Sequence, residues 1–161
     1  MVAKIVNLGG KGCAVSLFFA AVLLSAQQPN FDGAWQMDTA KSHVSDGRVV
    51  TLTIASAANT IKMTFKTRKK DGQEITSEFT SKLDEGKACD FTEGTHTSQL
   101  TVWYDGPTLN ASKEKGPADD VTSAWKLELS PDKQSMKMKM TINHYEPAAD
   151  DEMLVFTKKA S

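Results

Sequence analysis

The chain has 161 residues, 40% of them hydrophobic, and its 19 lysines and arginines nearly balance 20 aspartates and glutamates for a net charge of −1. That is enough chain for one packed core, and too little positive charge for a protein that grips nucleic acid through a basic face. Its two cysteines, Cys13 and Cys89, fall on opposite sides of an expected cleavage point, so no internal disulfide staples the fold.

Residues 1–27 read as a secretory signal peptide. Lys4 and Lys11 precede a mostly apolar, uncharged run from Cys13 to Leu24, and the small residues Ser25 and Ala26 follow. The run is short for a bilayer span, and the three parts come in the order an export signal requires. Cleavage near Ala26 or Gln27 removes two lysines and no acid, so the remainder is slightly more acidic than the whole. Cys13 opens the apolar run, which rules it out as the acylated first residue of a mature lipoprotein. The exported domain, residues 28–161, is expected to be secreted or periplasmic, without stable membrane insertion after cleavage.

From Phe31 onward, period-two alternation recurs between turn signals. Ile61, Met63 and Phe65 alternate with Lys62, Thr64 and Lys66, and Val121, Ser123, Trp125, Leu127 and Leu129 alternate with polar or small residues. Such spacing puts one face of each strand in a core. The interruptions are Asn59, Asp71-Gly72, Glu85-Gly86, Asp105-Gly106-Pro107, Gly116-Pro117 and Pro131-Asp132, whose backbone preferences suit tight connections. The pattern predicts strands near 31–38, 48–55, 60–69, 73–82, 87–92, 95–104, 108–114, 120–129, 134–144 and 151–158. About eight to ten strands joined by short connections form a meander, and one that shares a single core curls until its edges meet. The expectation is an all-β, antiparallel up-and-down barrel. A two-sheet sandwich is the competing architecture, because alternation cannot distinguish closure from face-to-face packing. The irregular stretch from Thr39 to Gly47 is expected to cover the mouth of a site.

At FDGAWQMDTAKSH, residues 31–43, the chain resembles the lipocalin-like branch of the calycins. It is more closely similar to a group of uncharacterised secreted bacterial proteins that open with Phe-x-Gly-x-Trp followed by Lys-Ser. The resemblance implies that Gly33 lets the first strand bend and that Trp35 packs across the closed end. It also implies that a basic residue from the last strand, Lys158 or Lys159, lies on the face of that indole. The later characteristic segments of the lipocalin pattern are absent.

Chemistry-bearing residues are sparse. Met136, Met138, Met140, Ile142 and His144 share one strand face, which admits a Cu(I) site of thioethers and imidazole or an ordinary inward stripe of flexible filler. Filler or pocket lining is the preferred reading. His43, His96 and His144 lack zinc-ligand spacing. The acids Asp119, Asp120, Asp150, Asp151 and Glu152 lack the spacing of a calcium loop and read as solvated loop charge. The basic group Lys66, Arg68, Lys69 and Lys70 reads as a hairpin tip. Cys89 reads as a buried small hydrophobe made less reactive by Asp90. No phosphate-binding loop or nucleophile elbow is present, and the chain reads as a binding protein rather than an enzyme.

The expected function is therefore an exported lipocalin-like binding protein, monomeric and without a cofactor, whose partner is a small apolar or amphipathic molecule. By strand phase, Met63, Phe65, Phe79, Trp125, Met138 and Met140 are the candidate ligand-binding residues. The alternatives are a compact structural or interaction module with a filled interior, and a periplasmic Cu(I)-binding protein.

Overall fold

A computed structural model describes residues 28–83, 86–114, 122–143 and 150–160. The signal-peptide reading, His144, Asp119 and Asp120 lie outside them. Among the described residues there are ten strands: β1 (Gly33–Met37), β2 (Val49–Ala57), β3 (Thr60–Arg68), β4 (Glu74–Lys82), β5 (Cys89–Glu93), β6 (His96–Asp105), β7 (Thr108–Lys113), β8 (Thr122–Leu129), β9 (Ser135–Asn143) and β10 (Asp150–Lys158). Each lies within about two residues of its sequence-based position.

Every strand pairs antiparallel with the next, and β1 also pairs with β10 through Trp35 opposite Lys158 and Met37 opposite Phe156. That last pairing closes the sheet and excludes the sandwich. The physical reason is the edge: an open ten-strand meander exposes two rows of unpaired backbone groups, and closure satisfies both. β1 is short, and after it Asp38 turns the chain by accepting backbone N–H bonds from Ala40 at 3.1 Å and Lys41 at 3.3 Å. His43 then resumes the seam, exchanging backbone bonds with Met153 at 2.6 and 3.0 Å. The stretch expected to lie over the mouth is thus stitched to β10 for much of its length.

Inward positions follow the alternation. Leu52 and Ile54 on β2, Ile61 and Met63 on β3, Leu100 and Val102 on β6, Leu127 on β8, Met136 and Met138 on β9 and Leu154 and Phe156 on β10 are all buried. Outward positions carry charge, including ion pairs between neighbouring strands such as Lys62–Glu78 at 3.2 Å and Lys139–Asp151 at 2.9 Å.

The end of the barrel where β1 begins is occupied by large buried side chains. Trp35 is fully buried there, its indole N–H donating to the carbonyl of Phe31 at 2.9 Å, and Phe31 itself is fully buried. Tyr104 ties down the incoming segment by donating its hydroxyl to the Pro29 carbonyl at 3.1 Å. Lys158 lays its ammonium over the Trp35 ring, 5.3 Å from the centroid. Of the two basic residues implied by the resemblance, it is Lys158 that takes this place. Gly33, at φ 139°, makes the approach possible: a Cβ there would lie 2.6 Å from Cε of Lys158. The missing side chain accommodates the lysine stem as well as the unusual backbone angle.

Candidate ligand-binding cavity

Toward the opposite end, where β2 begins and β7 ends, the interior is not filled. A cavity of about 280 Å³ remains, walled chiefly by Val50, Phe65, Phe91, Trp125, Met138 and Met140. At the ~30 Å³ that a water occupies in the liquid, this is room for roughly nine waters, near the lower limit of small-molecule pockets.

The wall is built by strand phase. Phe65 and Thr67 point inward from β3, Phe91 from β5, Ser123 and Trp125 from β8, and Met138, Met140 and Ile142 from β9. Trp125 organises the aromatic side, with ring centroids 5.3 Å from Phe65, 5.4 Å from Phe91 and 6.4 Å from Phe79. The two nearest contacts are edge-on, the arrangement that aromatic quadrupoles favour. Its indole N–H donates to Ser123 Oγ at 3.1 Å, so a buried donor is satisfied without leaving the cavity wall.

All six candidate residues turn inward as strand phase requires. Phe65, Trp125, Met138 and Met140 line the cavity. Met63 and Phe79 are buried but are not part of its lining. The division reflects depth along the strand: Phe65 and Ser77 lie on the open side of Met63 and Phe79 in the register. Met136 belongs to the fully buried core, while Met138 and Met140 face the void. Successive inward positions are roughly 6.8 Å apart on a strand, so the three thioethers are distributed along the wall. Cys89 is partly rather than fully buried, and its thiol donates to the Leu100 carbonyl at 3.3 Å.

The cavity's charged groups are the feature that sequence reasoning missed. Glu152, read from sequence as loop charge, is 3% exposed and turns inward from β10. It accepts from both guanidinium nitrogens of Arg48, from the Ser45 backbone N–H at 3.2 Å and from the Ser45 hydroxyl at 3.0 Å. Asp46 takes a further contact from Arg48 at 3.0 Å. Burial pushes the Glu152 carboxyl up, but hydrogen bonds from Arg48 and Ser45 and the guanidinium charge outweigh it, leaving the group below its ordinary range. Across the barrel, Lys113 is the last inward residue of β7. Its side chain is 10% exposed, with the ammonium 3.9 Å from the half-exposed Glu93 carboxylate and 6.0 Å from the Phe91 centroid. The available signal was phase: Lys113 continues Leu109 and Ala111, and Glu152 precedes Leu154 and Phe156, each at two-residue steps.

No family model matches the chain, and no curated protein matches its sequence. The barrel and its half-empty interior are thus what bears on function.

Proposed function

We propose that the protein is an exported, lipocalin-like carrier that holds a small apolar or amphipathic molecule in the open half of its barrel. The observation that carries this reading is the asymmetry of the interior: one half packed around Trp35, the other holding a cavity of about 280 Å³ faced by Phe65, Trp125, Met138 and Met140. Apolar area removed from water supplies affinity in such a site, at roughly 25 cal/mol per Å² before the costs of immobilisation. A compact module has no use for such a space, since an unfilled interior costs stability. The Gly33, Trp35 and Lys158 arrangement supports the lipocalin-like assignment, and the leader pattern in residues 1–27 supports a secreted or periplasmic location. Lys62, Glu78, Lys139 and Asp151 on the outer wall favour water over lipid around the barrel.

The test is native mass spectrometry of the protein purified gently from its own host, beside a Met140→Trp variant that fills the cavity. A retained small molecule present in the wild type and missing from the variant supports the carrier. An apo mass for both, with no uptake of added amphiphiles, removes it.

A further inference from the structure

We propose that the cavity takes an uncharged aromatic molecule of one or two rings, a phenol by chemical class, which lies among Phe65, Phe91 and Trp125 with its hydroxyl on Ser77. The inference rests on the carrier reading and adds to it the chemistry of the ligand and the side chain that selects it.

Ser77 is only 4% exposed, turns inward from β4 and lines the cavity. Among the described residues its hydroxyl has no hydrogen-bond partner, and its oxygen opens onto the cavity rather than being sealed in the wall. While the cavity is empty, water can satisfy it. A guest that displaces this water and offers only carbon strands the hydroxyl, whereas one that carries a donor restores the bond. The other hydroxyls on the wall differ. Ser123 Oγ already accepts from the Trp125 indole at 3.1 Å, and Thr67 is only partly buried, one step nearer the mouth and opposite Ile75.

Depth sets the shape of the guest. Ser77 stands opposite Phe65 in the β3–β4 register, and Phe65 meets Trp125 edge-on with centroids 5.3 Å apart. The polar anchor is therefore at the depth of the rings, so the polar atom of a guest lies beside the apolar wall and not above it. An aromatic guest adds ring contacts to this set, and contacts to the thioethers of Met138 and Met140, that a saturated one does not make. A volume of about 280 Å³, roughly nine waters, matches one or two rings.

Charge on the wall is already balanced. Arg48 holds Asp46 and Glu152, Lys69 donates to Gln73 Oε1 at 3.0 Å, and Lys113 stands 3.9 Å from Glu93. Three cations thus meet three carboxylates, and an ionised guest has to displace one of these contacts.

Calorimetric titration of the mature protein at neutral pH with 4-ethylphenol, 4-ethylcyclohexanol, 4-ethylbenzoate and 4-ethyltoluene separates ring, charge and hydroxyl at nearly constant shape. 4-Ethylphenol should bind roughly fivefold or more tightly than the cyclohexanol, and the benzoate should bind more weakly than the phenol. Ser77→Ala should weaken 4-ethylphenol roughly fivefold and leave 4-ethyltoluene unweakened. Ser77→Cys, which keeps the shape but hydrogen-bonds weakly, should give the same split and carries the test should the alanine variant fail to fold. Equal binding of the cyclohexanol, tighter binding of the benzoate, or Ser77 variants that weaken the phenol and the toluene alike or neither of them, overturns the inference and leaves the carrier standing. If none of the four binds, this inference falls, and uptake of amphiphiles in native mass spectrometry decides the carrier separately.

Discussion

The ammonium of Lys158 rests 5.3 Å from the centroid of the buried Trp35 ring, and its stem fills the space where a side chain at position 33 would be. Three residues from the two ends of the domain are therefore one structural unit. They also lie at the β1–β10 seam, so this packing supports the closure of the barrel. Gly33→Ala meets both the 2.6 Å approach to Lys158 Cε and a φ of 139°, and should cost about 1–3 kcal/mol. Lys158→Met retains the apolar stem and removes the charge, for a loss near 1 kcal/mol. Urea denaturation of Gly33→Ala, Lys158→Ala and their double mutant checks the coupling: Gly33→Ala should be milder in the Lys158→Ala background, where the clashing stem is gone.

Glu152 should make the mouth of the barrel sensitive to acid. Its folded pKa lies below the ordinary 4.5, so it stabilises the fold above that value, and the contribution is lost as pH falls through the folded value. The group it releases is the Ser45–Arg48 segment. Hydrogen-exchange protection factors at the His43 and Met153 amides, corrected for the intrinsic pH dependence of exchange, should fall below pH ~4.5, ahead of core amides such as Leu52, since local opening comes first where fewer apolar contacts hold the chain. Glu152→Gln should cost about 3 kcal/mol at neutral pH, leaving a buried guanidinium with reduced compensation. The variant should also lose most of this early acid response.

The size of the cavity follows from the side chains that wall it. Met138→Ala should cost about 2 kcal/mol, the low end for such truncations because the side chain already borders a void. In compensation the enlarged space should shift preference from 1-octanol toward 1-decanol. Competition titrations with the two alcohols check this, and an unchanged ratio would place the bound chain elsewhere in the barrel.

Cys89 should be a slow nucleophile. Burial raises its thiol pKa, with the charge of Asp90 adding to the rise and a hydrogen bond with Ser81 opposing it, and the thiolate fraction at neutral pH falls accordingly. Maleimide labelling of the native protein at pH 7 should therefore lag well behind labelling in urea, and the gap should narrow as pH rises.

Alternation of apolar and polar residues made the ten strands and their inward faces legible, because a strand's period of two is a local property that each segment states for itself. Met63, Phe65, Phe79, Trp125, Met138 and Met140 were readable as inward on that ground alone. The same period also places Glu152 inward, and grouping it with Asp150 and Asp151 as loop charge went against it, since a charged residue at a strand end looks the same whether it faces water or a buried arginine. Sequence by itself thus determined the strands, their order and which side chains turn inward. Tertiary structure decided that β1 meets β10, that one half of the barrel fills while the other stays open, and that Arg48 meets Glu152 and Lys113 faces the void. Those are matters of register and closure between segments far apart in the chain, such as those of Trp35 and Lys158, and no local periodicity encodes how deep in a cylinder an inward residue will come to rest.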